Sequence, residues 1–381
     1  MTVNLKPQEK TWEDLVAIAS QFTDLGQVEA IAPYGSGNIN STFLVTLDAQ
    51  GDQHFILQRI NRQVFQHPEW VMQNMSTLTD HVCRRLHPAI GQCEALLGDR
   101  PWQVPRVLLT HEAQDHWLEP DGSFWRAMSF ITHAQAFDQI QDLNHAQEIG
   151  SALGTFHALL SDLPPEQLAY TLDGFHITPQ YLAHYDRVRQ AVPLPSSPEV
   201  DYGVQFICDR RHQADVLERA KAQGQLCLRP THGDPKINNV MICAATGCAI
   251  SMIDLDTVQP GLIHYDIGDC LRSACNPLGE ETPEWEAVTF DLNLCRALLQ
   301  GYLAIAQAFL TNADYDYLYE AIRLLPFELG LRFFTDYLEG NVYFRTAYPE
   351  HNLARALVQF KLAEQIEAQE VAIQALIQDL R

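Results

Sequence analysis

The chain has 381 residues, 46% of them hydrophobic, enough for two sizeable cores that need no disulfide or metal staple. Its 25 Lys and Arg against 48 Asp and Glu give a formal net charge of -23, which repels nucleic acid phosphates and anionic lipid surfaces alike. The opening residues lack the apolar core of a signal peptide, no run reaches the roughly 18 apolar residues of a spanning helix, and nine cysteines are too few and too scattered for a secreted framework. These features read as a cytoplasmic protein with reduced thiols and no membrane or nucleic acid partner.

The first third reads as strands around one helix. Residues 27 to 34, 41 to 48 and 53 to 60 are short runs rich in Val, Ile, Phe, Leu and Thr, separated by turn chemistry at GSGN and AQGDQ, which predicts an antiparallel meander. Pro68 then opens a helix to about Leu86, with Val71, Met75, Leu78 and Val82 recurring at spacings of three and four. Two more strand-like segments follow at 104 to 110 and 124 to 131. From about Asp142 the period lengthens, and Ile149, Leu153, Phe156 and Leu160 mark one face of a long helix that begins a mainly helical second part. The boundary is placed between 132 and 133.

PLPSSPE at 193 to 199 reads as a surface loop. Residues 226 to 256 form a strand-rich insert, and 285 to 310, 314 to 339 and 352 to 380 read as helices. No internal repeat is present. Cys243 and Cys248 are five apart, as are Cys270 and Cys275, which raises a four-thiolate metal site. The plainer reading is that Cys243 and Cys248 flank a Thr246-Gly247 turn between two strands.

The chemistry-bearing run is His232, Gly233, Asp234, Pro235, Lys236, Ile237, Asn238, Asn239. A carboxylate followed five residues later by a carboxamide suits phosphoryl transfer, with Asp234 orienting and deprotonating the attacking hydroxyl and Asn239 ligating magnesium. A plain turn, in which both side chains merely bond the backbone, is the alternative. Asp254 favours the first reading: it follows the apolar run Ala249, Ile250, Met252, Ile253, and an ionised Asp at the end of a buried strand needs a partner such as a magnesium ion bridging nucleotide phosphates. Hairpin geometry brings Asn239 and Asp254 to the same end. Between the first two strands, Gly35, Ser36, Gly37, Asn38, Ile39 and Asn40 form a loop of small residues whose N–H groups can approach phosphates, although an ordinary hairpin turn has the same composition.

At these residues the chain resembles the aminoglycoside phosphotransferase and choline kinase superfamily. That implies an α+β, two-lobed protein-kinase-like fold, with a small antiparallel-sheet N-terminal lobe and a larger, mainly helical C-terminal lobe. YGSGNINSTFLV at 34 to 45, FILQRINRQVF at 55 to 65, IDLDTVQPGLIHYDIGDCLR at 253 to 272, LRFFTDYLEGNVYF at 331 to 344 and HNLARALVQFKLAEQIE at 351 to 367 are more closely similar to the N-acetylhexosamine 1-kinases. The resemblance implies ATP as co-substrate, one or two Mg2+ ions, and phosphorylation of the anomeric hydroxyl of N-acetylglucosamine or N-acetylgalactosamine by a monomer or homodimer.

Carried over by position, it makes Asp234 the base, Asn239 and Asp254 the magnesium ligands, and Gly35 through Asn40 the phosphate-covering loop. Asp256 joins them toward a second magnesium or the sugar, since strand alternation would put it on the face of Asp254. Asp266 and Asp269 match an element that braces the catalytic loop; an interaction with a helix N-terminus is the other reading. Kinases of this fold place Lys on the third strand, where this chain has Gln58 followed by Arg59. Either Arg59 reaches the phosphates by a local twist, or Gln58 makes an uncharged contact. Glu69 either pairs with Arg59 or favours its own helix N-terminus. For the sugar, the candidates are Arg332, Asp336 and Arg345; the first two are spaced to share a helix face, where a simple surface salt pair is the other reading. His157 reads as a satisfied core histidine. The alternatives to a sugar kinase are the same chemistry on choline, homoserine, methylthioribose or an aminoglycoside, and a nucleotide-sensing pseudokinase suggested by Gln58.

Overall fold

A computed structural model of the chain describes residues 10–22, 26–35, 39–48, 53–87 and 100–381. The architecture is α+β and two-lobed, and the chain divides into Met1–Asp80 with Val104–Thr132, and His81–Gln103 with His133–Arg381.

In the first unit β1 (Gln27–Pro33), β2 (Ser41–Asp48), β3 (His54–Ile60), β4 (Val107–Leu108), β5 (Trp117–Leu118) and β6 (Phe124–Ser129) form one antiparallel sheet. Its order is β1-β2-β3-β6-β4, with β5 paired to β6. The alternation of each strand sorts the residues. Phe43, Val45, Leu47, Phe55, Leu57, Trp125 and Ala127 share one side, where they pack with Leu15, Ile18 and Ala19 of α1 (Trp12–Ala19) and with Phe22. Thr42, Gln58 and Arg126 are aligned partners on the opposite side, toward Met75 of α2 (Pro68–Leu86). Pro68 at the start, Glu69 in the first turn and Arg84 and Arg85 in the last suit the ends of α2.

The second unit holds a small sheet of β7 (Ala134–Gln135), β9 (Val240–Cys243) and β10 (Ala249–Met252), in the order β10-β9-β7. A two-stranded ribbon, β8 (Arg229–Thr231) with β11 (Gln259–Gly261), flanks the segment 232 to 258 in sequence. Its α-helices among the described residues include α3 (Leu143–Leu159), α4 (Thr178–Ala191), α5 (Pro198–Arg210), α6 (Val216–Ala222), α7 (Ile263–Ala274), α8 (Leu292–Ala306), α9 (Asn312–Asp316), α10 (Leu318–Leu338), α11 (His351–Ala368) and α12 (Glu370–Leu380). Tyr185, Phe206, Tyr265, Leu325, Phe334 and Phe360 belong to the large core that α4, α5, α7, α10 and α11 share.

Several boundaries differ from the sequence reading. The segment at 104 to 110 keeps only two strand residues, and the loop at 193 to 199 yields to α5 at Pro198, because Ser197 accepts from the Val200 N–H and Pro198 suits the first helical position. The last helix breaks at Gln369 into α11 and α12. Cys243 and Cys248 flank the hairpin turn at Gly247 and are partly exposed, whereas Cys270 and Cys275 are buried on and just after α7. Among the described residues no helix is long and apolar enough to cross a membrane.

The tightest packing sets the stage for the site. A Cβ on Gly150 of α3 would lie 1.9 Å from the Leu298 carbonyl oxygen of α8, and one on Gly301 of α8 would lie 2.0 Å from the Gln147 carbonyl oxygen of α3. The two backbones therefore touch, and this brings His157 of α3 within 3.0 Å of the Tyr302 hydroxyl of α8. Overpacking such a contact costs roughly 1–3 kcal/mol. Gly301→Val should lower Tm by roughly 2–5 °C in a thermal melt; an unchanged Tm would show that the helices can part freely.

Candidate active site

The candidate catalytic motif sits on a short connection between β8 and β9, where His232, Gly233 and Asp234 are held at each backbone N–H and carbonyl. Asp266 on α7, with no solvent exposure, accepts the His232 N–H on Oδ2 at 2.7 Å and the Gly233 N–H on Oδ1 at 2.8 Å. Its Oδ2 also takes His157 Nε2 at 2.8 Å. Burial pushes the Asp266 pKa up, but the His157 hydrogen bond and charge, with the other donors, outweigh it and hold the carboxyl below its usual value. Asp266 thus braces the loop, the first of the two readings left open from sequence. Asp269 instead pairs with Arg272 at 2.8 Å. His157 is the satisfied core histidine expected, set between Asp266 and Tyr302.

The remaining loop atoms are fixed from other directions. Thr257 Oγ1 donates to the His232 carbonyl at 2.7 Å, and His232 Nε2 donates to the Ile253 carbonyl at 3.0 Å. His232 Nδ1 accepts the Asp234 N–H at 3.3 Å, an arrangement that requires a neutral ring, and burial lowers its pKa accordingly. Gly233 has φ +83°, and a Cβ there would meet the Thr257 carbonyl oxygen at 2.8 Å, so only glycine fits.

Three side chains converge on this frame. Asn239 Nδ2 donates to the Asp234 carbonyl oxygen at 2.7 Å and to Asp234 Oδ2 at 3.2 Å, and Lys236 Nζ lies 2.7 Å from the same Oδ2. The Asp234 carboxylate above all, aided by Asp254 and Asp269, outweighs burial and holds the Lys236 pKa above its usual value. Lys236 was inside the motif as read from sequence but received no role there. Asn239 directly precedes β9; Val240 pairs with Met252, and the Ile253 N–H donates to the Asn239 carbonyl, so Asn239 and Asp254 share one end of the hairpin.

Asp254 itself departs from the expectation. It is exposed, not buried at a strand end, and its φ of 62° and ψ of 57° place a non-glycine residue in the left-handed region at the head of a single 3-10 turn, Leu255–Thr257. That conformation costs roughly 1–2 kcal/mol and is kept where surrounding structure imposes it. Strand alternation consequently fails for Asp256, which is in the turn and only 2% exposed while Asp254 faces solvent. The donor half of the Asn239 carboxamide is taken by Asp234, which leaves Oδ1. With the Asp254 carboxylate it makes a pair of hard oxygen donors of the kind magnesium takes alongside water and phosphate.

Sequence reasoning missed a buried link behind the loop. His176 Nε2 lies 2.9 Å from the Gly233 carbonyl and its Nδ1 lies 2.8 Å from Glu328 Oε1 of α10, while Thr178 Oγ1 donates to Glu328 Oε2. Both ring nitrogens face acceptors, so the ring is an imidazolium. Burial pushes the His176 pKa down, but the Glu328 carboxylate outweighs it and the net shift is upward. No local pattern around Phe175 and His176 announces this contact across 57 residues.

Nearby, Arg332 of α10 lies among the rings of Tyr181 at 5.0 Å, Phe344 at 5.4 Å, Phe175 at 5.5 Å and Tyr343 at 5.9 Å. The Tyr181 hydroxyl, its pKa pushed up to about 12 by burial, accepts the His176 N–H. Arg332 and Asp336 form no salt pair among the described residues. Asp336 is 3% exposed and accepts the backbone N–H groups of Val342, Tyr343 and Phe344 and Asn352 Nδ2, so its carboxylate is spent on shaping the turn after α10 and not on a ligand. Arg345 is exposed in the same connection, where its carbonyl accepts from Arg355 Nη1.

In the first unit, Gly35 has φ +76°, Ile39 is 47% exposed, and Asn40 Oδ1 accepts the Asn61 N–H at 2.9 Å, tying the end of the glycine loop to the end of β3. Ser36, Gly37 and Asn38 lie outside the described residues. The twist proposed for Arg59 is absent, since β3 and β6 pair without a break from Phe55↔Ser129 to Ile60↔Phe124. Arg59 is therefore on the α1 side, with Nη2 bonded to Ser41 Oγ and its guanidinium over Trp125. Glu69 pairs with His67, not Arg59. Gln58 lies on the other side, with Oε1 accepting from Arg126 Nε at 3.0 Å and Nη2 at 2.6 Å, and Nε2 donating to Thr42 Oγ1 at 2.9 Å.

The raised His176 pKa carries a pH signature. Stability from the imidazolium is fully present below its ordinary value of 6.5 and is lost as pH rises through the raised folded value. The Tm gap between the wild type and His176→Gln should thus be widest near pH 6 and shrink at alkaline pH; a gap that widens with pH would contradict the assignment.

Residues 30–308, well over half the chain, match the model of the phosphotransferase enzyme family. Among solved structures, an aminoglycoside phosphotransferase from Alicyclobacillus acidocaldarius is 15% identical with a TM-score of 0.62, covering 100% of this chain and 99% of that one. A microcompartment-associated aminopropanol kinase is 15% identical with a TM-score of 0.59, covering 93% and 97%. A choline kinase from Cryptosporidium parvum is 13% identical with a TM-score of 0.57, covering 91% of each chain. At such identities these likenesses speak for the fold, and the family match speaks for the chemistry: the chain belongs to the phosphotransferase enzyme family, as an ATP- and magnesium-dependent small-molecule kinase of the aminoglycoside phosphotransferase and choline kinase superfamily.

Proposed function

We propose that Asp234 is the base of this kinase, that Asn239 and Asp254 hold magnesium, and that the acceptor is an N-acetylhexosamine phosphorylated at its anomeric hydroxyl. The observation that carries the reading is the Asp234 carboxylate, oriented by Lys236 Nζ at 2.7 Å and Asn239 Nδ2 at 3.2 Å on a loop that Asp266, His176 and Thr257 hold still. A base fixed in this way aligns the acceptor hydroxyl and takes its proton as the new P–O bond forms. Lys236 neutralises charge on the transferred phosphoryl group. Magnesium, when bound, neutralises the triphosphate and favours departure of ADP. Asp256, buried in the 3-10 turn two residues past Asp254, is a further carboxylate toward a second magnesium or the sugar.

Support for a neutral acceptor comes from Arg332. The four rings that would cage a quaternary ammonium already surround the protein's own guanidinium, and Glu328 and Asp336 beside it are committed to His176, Thr178 and backbone N–H groups. A guanidinium in that setting suits an acetamide carbonyl or a sugar hydroxyl better than a cation. Arg345, exposed on the same connection, is a second sugar contact. Another small alcohol remains the second reading, supported by similar structures that carry the names of choline, aminopropanol and aminoglycoside kinases.

Asp234→Asn should reduce turnover by roughly 100-fold or more while ADP still binds; near-normal turnover would remove Asp234 as base. Arg332→Met should raise the KM of an N-acetylated sugar roughly tenfold and leave the KM of ATP unchanged. ADP release across a panel of N-acetylated sugars and amino alcohols separates the two acceptor readings, silence with every sugar removing the first. Tight ATP binding with no turnover on any acceptor would favour a pseudokinase.

A further inference from the structure

Phosphate recognition needs positive charge or strong donors, and the described residues of the sheet unit offer few. Lys10 pairs with Glu119 and Asp121, Arg59 lies on the α1 side, Arg62 donates to the Gly122 carbonyl and Arg106 is exposed at the head of β4. Arg126 is 1% exposed and directly opposite Gln58 on the neighbouring strand. Thr42, Gln58 and Arg126 are aligned partners on β2, β3 and β6, and their side chains are linked across all three strands, starting two residues after the glycine loop. A charged residue inside Phe124-Trp125-Arg126-Ala127-Met128, an otherwise apolar strand, is the sequence signal for this arrangement.

The two halves of a glutamine amide are ordinarily interchangeable, yet here two guanidinium N–H groups meet one amide atom, which must be the oxygen. Nε2 is therefore directed away from Arg126. One of its hydrogens goes to Thr42, and the second is available on a side chain that is partly exposed, unlike Arg126. We propose that Gln58 and Arg126 act as a relay, in which Gln58 Nε2 donates to a nucleotide phosphate while the buried Arg126 guanidinium fixes the amide orientation and lends it positive charge. The pair takes the place of the lysine that kinases of this fold carry on β3. In this relay Gln58 is the phosphate contact and Arg126 a positioning residue. The inference rests on the phosphotransferase reading and names how one part of its nucleotide site works.

The relay predicts a reversal of sign between variants. Calorimetry would measure Mg-ADP and adenosine affinity for the wild-type protein, Arg126→Met, Gln58→Lys and the double variant, each checked for a cooperative melt. Arg126→Met should weaken ADP roughly 10-fold and leave adenosine within about twofold. Gln58→Lys alone, with two cations in contact, should weaken ADP, whereas Gln58→Lys in the Arg126→Met background should restore it. If Arg126→Met does not fold, Arg126→Lys, which keeps the charge but not the two-pronged hold on Oε1, should weaken ADP and spare adenosine. Equal losses for ADP and adenosine, or no loss, would assign Arg126 a purely structural role. Failure of the wild-type protein to bind ADP would instead sink the nucleotide site itself.

Discussion

One buried carboxylate organises the site. Asp266 gives one oxygen to the Gly233 N–H and the other to the His232 N–H and His157. Unpaired, each buried N–H would cost roughly 1–3 kcal/mol, so the loop has a single well-satisfied conformation in which Asp234 follows a glycine no other residue could replace. The close approach of α3 and α8 exists in service of the same contact, since it places Tyr302 behind His157 and His157 behind Asp266.

Charge is distributed around the loop so that each group has a defined protonation state. His176 faces two acceptors and is held as a cation by Glu328; His232 faces one donor and one acceptor and is held neutral by burial. Lys236 is fixed as an ammonium by the acids around it. Each of these cations has a carboxylate against it, Glu328 for His176 and Asp234 for Lys236.

Much of this was readable in the sequence for physical reasons. Strands with period two and a helix opened by Pro68 announce themselves through alternation and capping, and the Asp234 to Asn239 spacing survives because the chemistry is local to one turn. The second unit was less legible. Helix α4 buries only Thr178, Tyr185 and Val188, too few to leave a strong apolar stripe, and α5 begins inside a segment whose Pro and Ser content reads as loop. Asp254 is an exposed left-handed residue rather than the buried strand terminus its apolar run suggested, because the chain leaves β10 two residues earlier. Contacts such as Glu328 to His176 to Gly233, or Gln58 to Arg126, depend on tertiary placement or strand register, and neither is written in local spacing.

Asp266 holds the loop on which Asp234 is proposed as base, and the most direct measurement is kcat for Asp266→Asn in protein that still melts cooperatively. An amide keeps the shape but turns a donor toward one of the loop N–H groups, so kcat should fall roughly 10- to 100-fold with the KM of ATP little changed. A folded Asp266→Asn protein with wild-type kcat would mean that the base keeps its position without the clamp, and the account would fail.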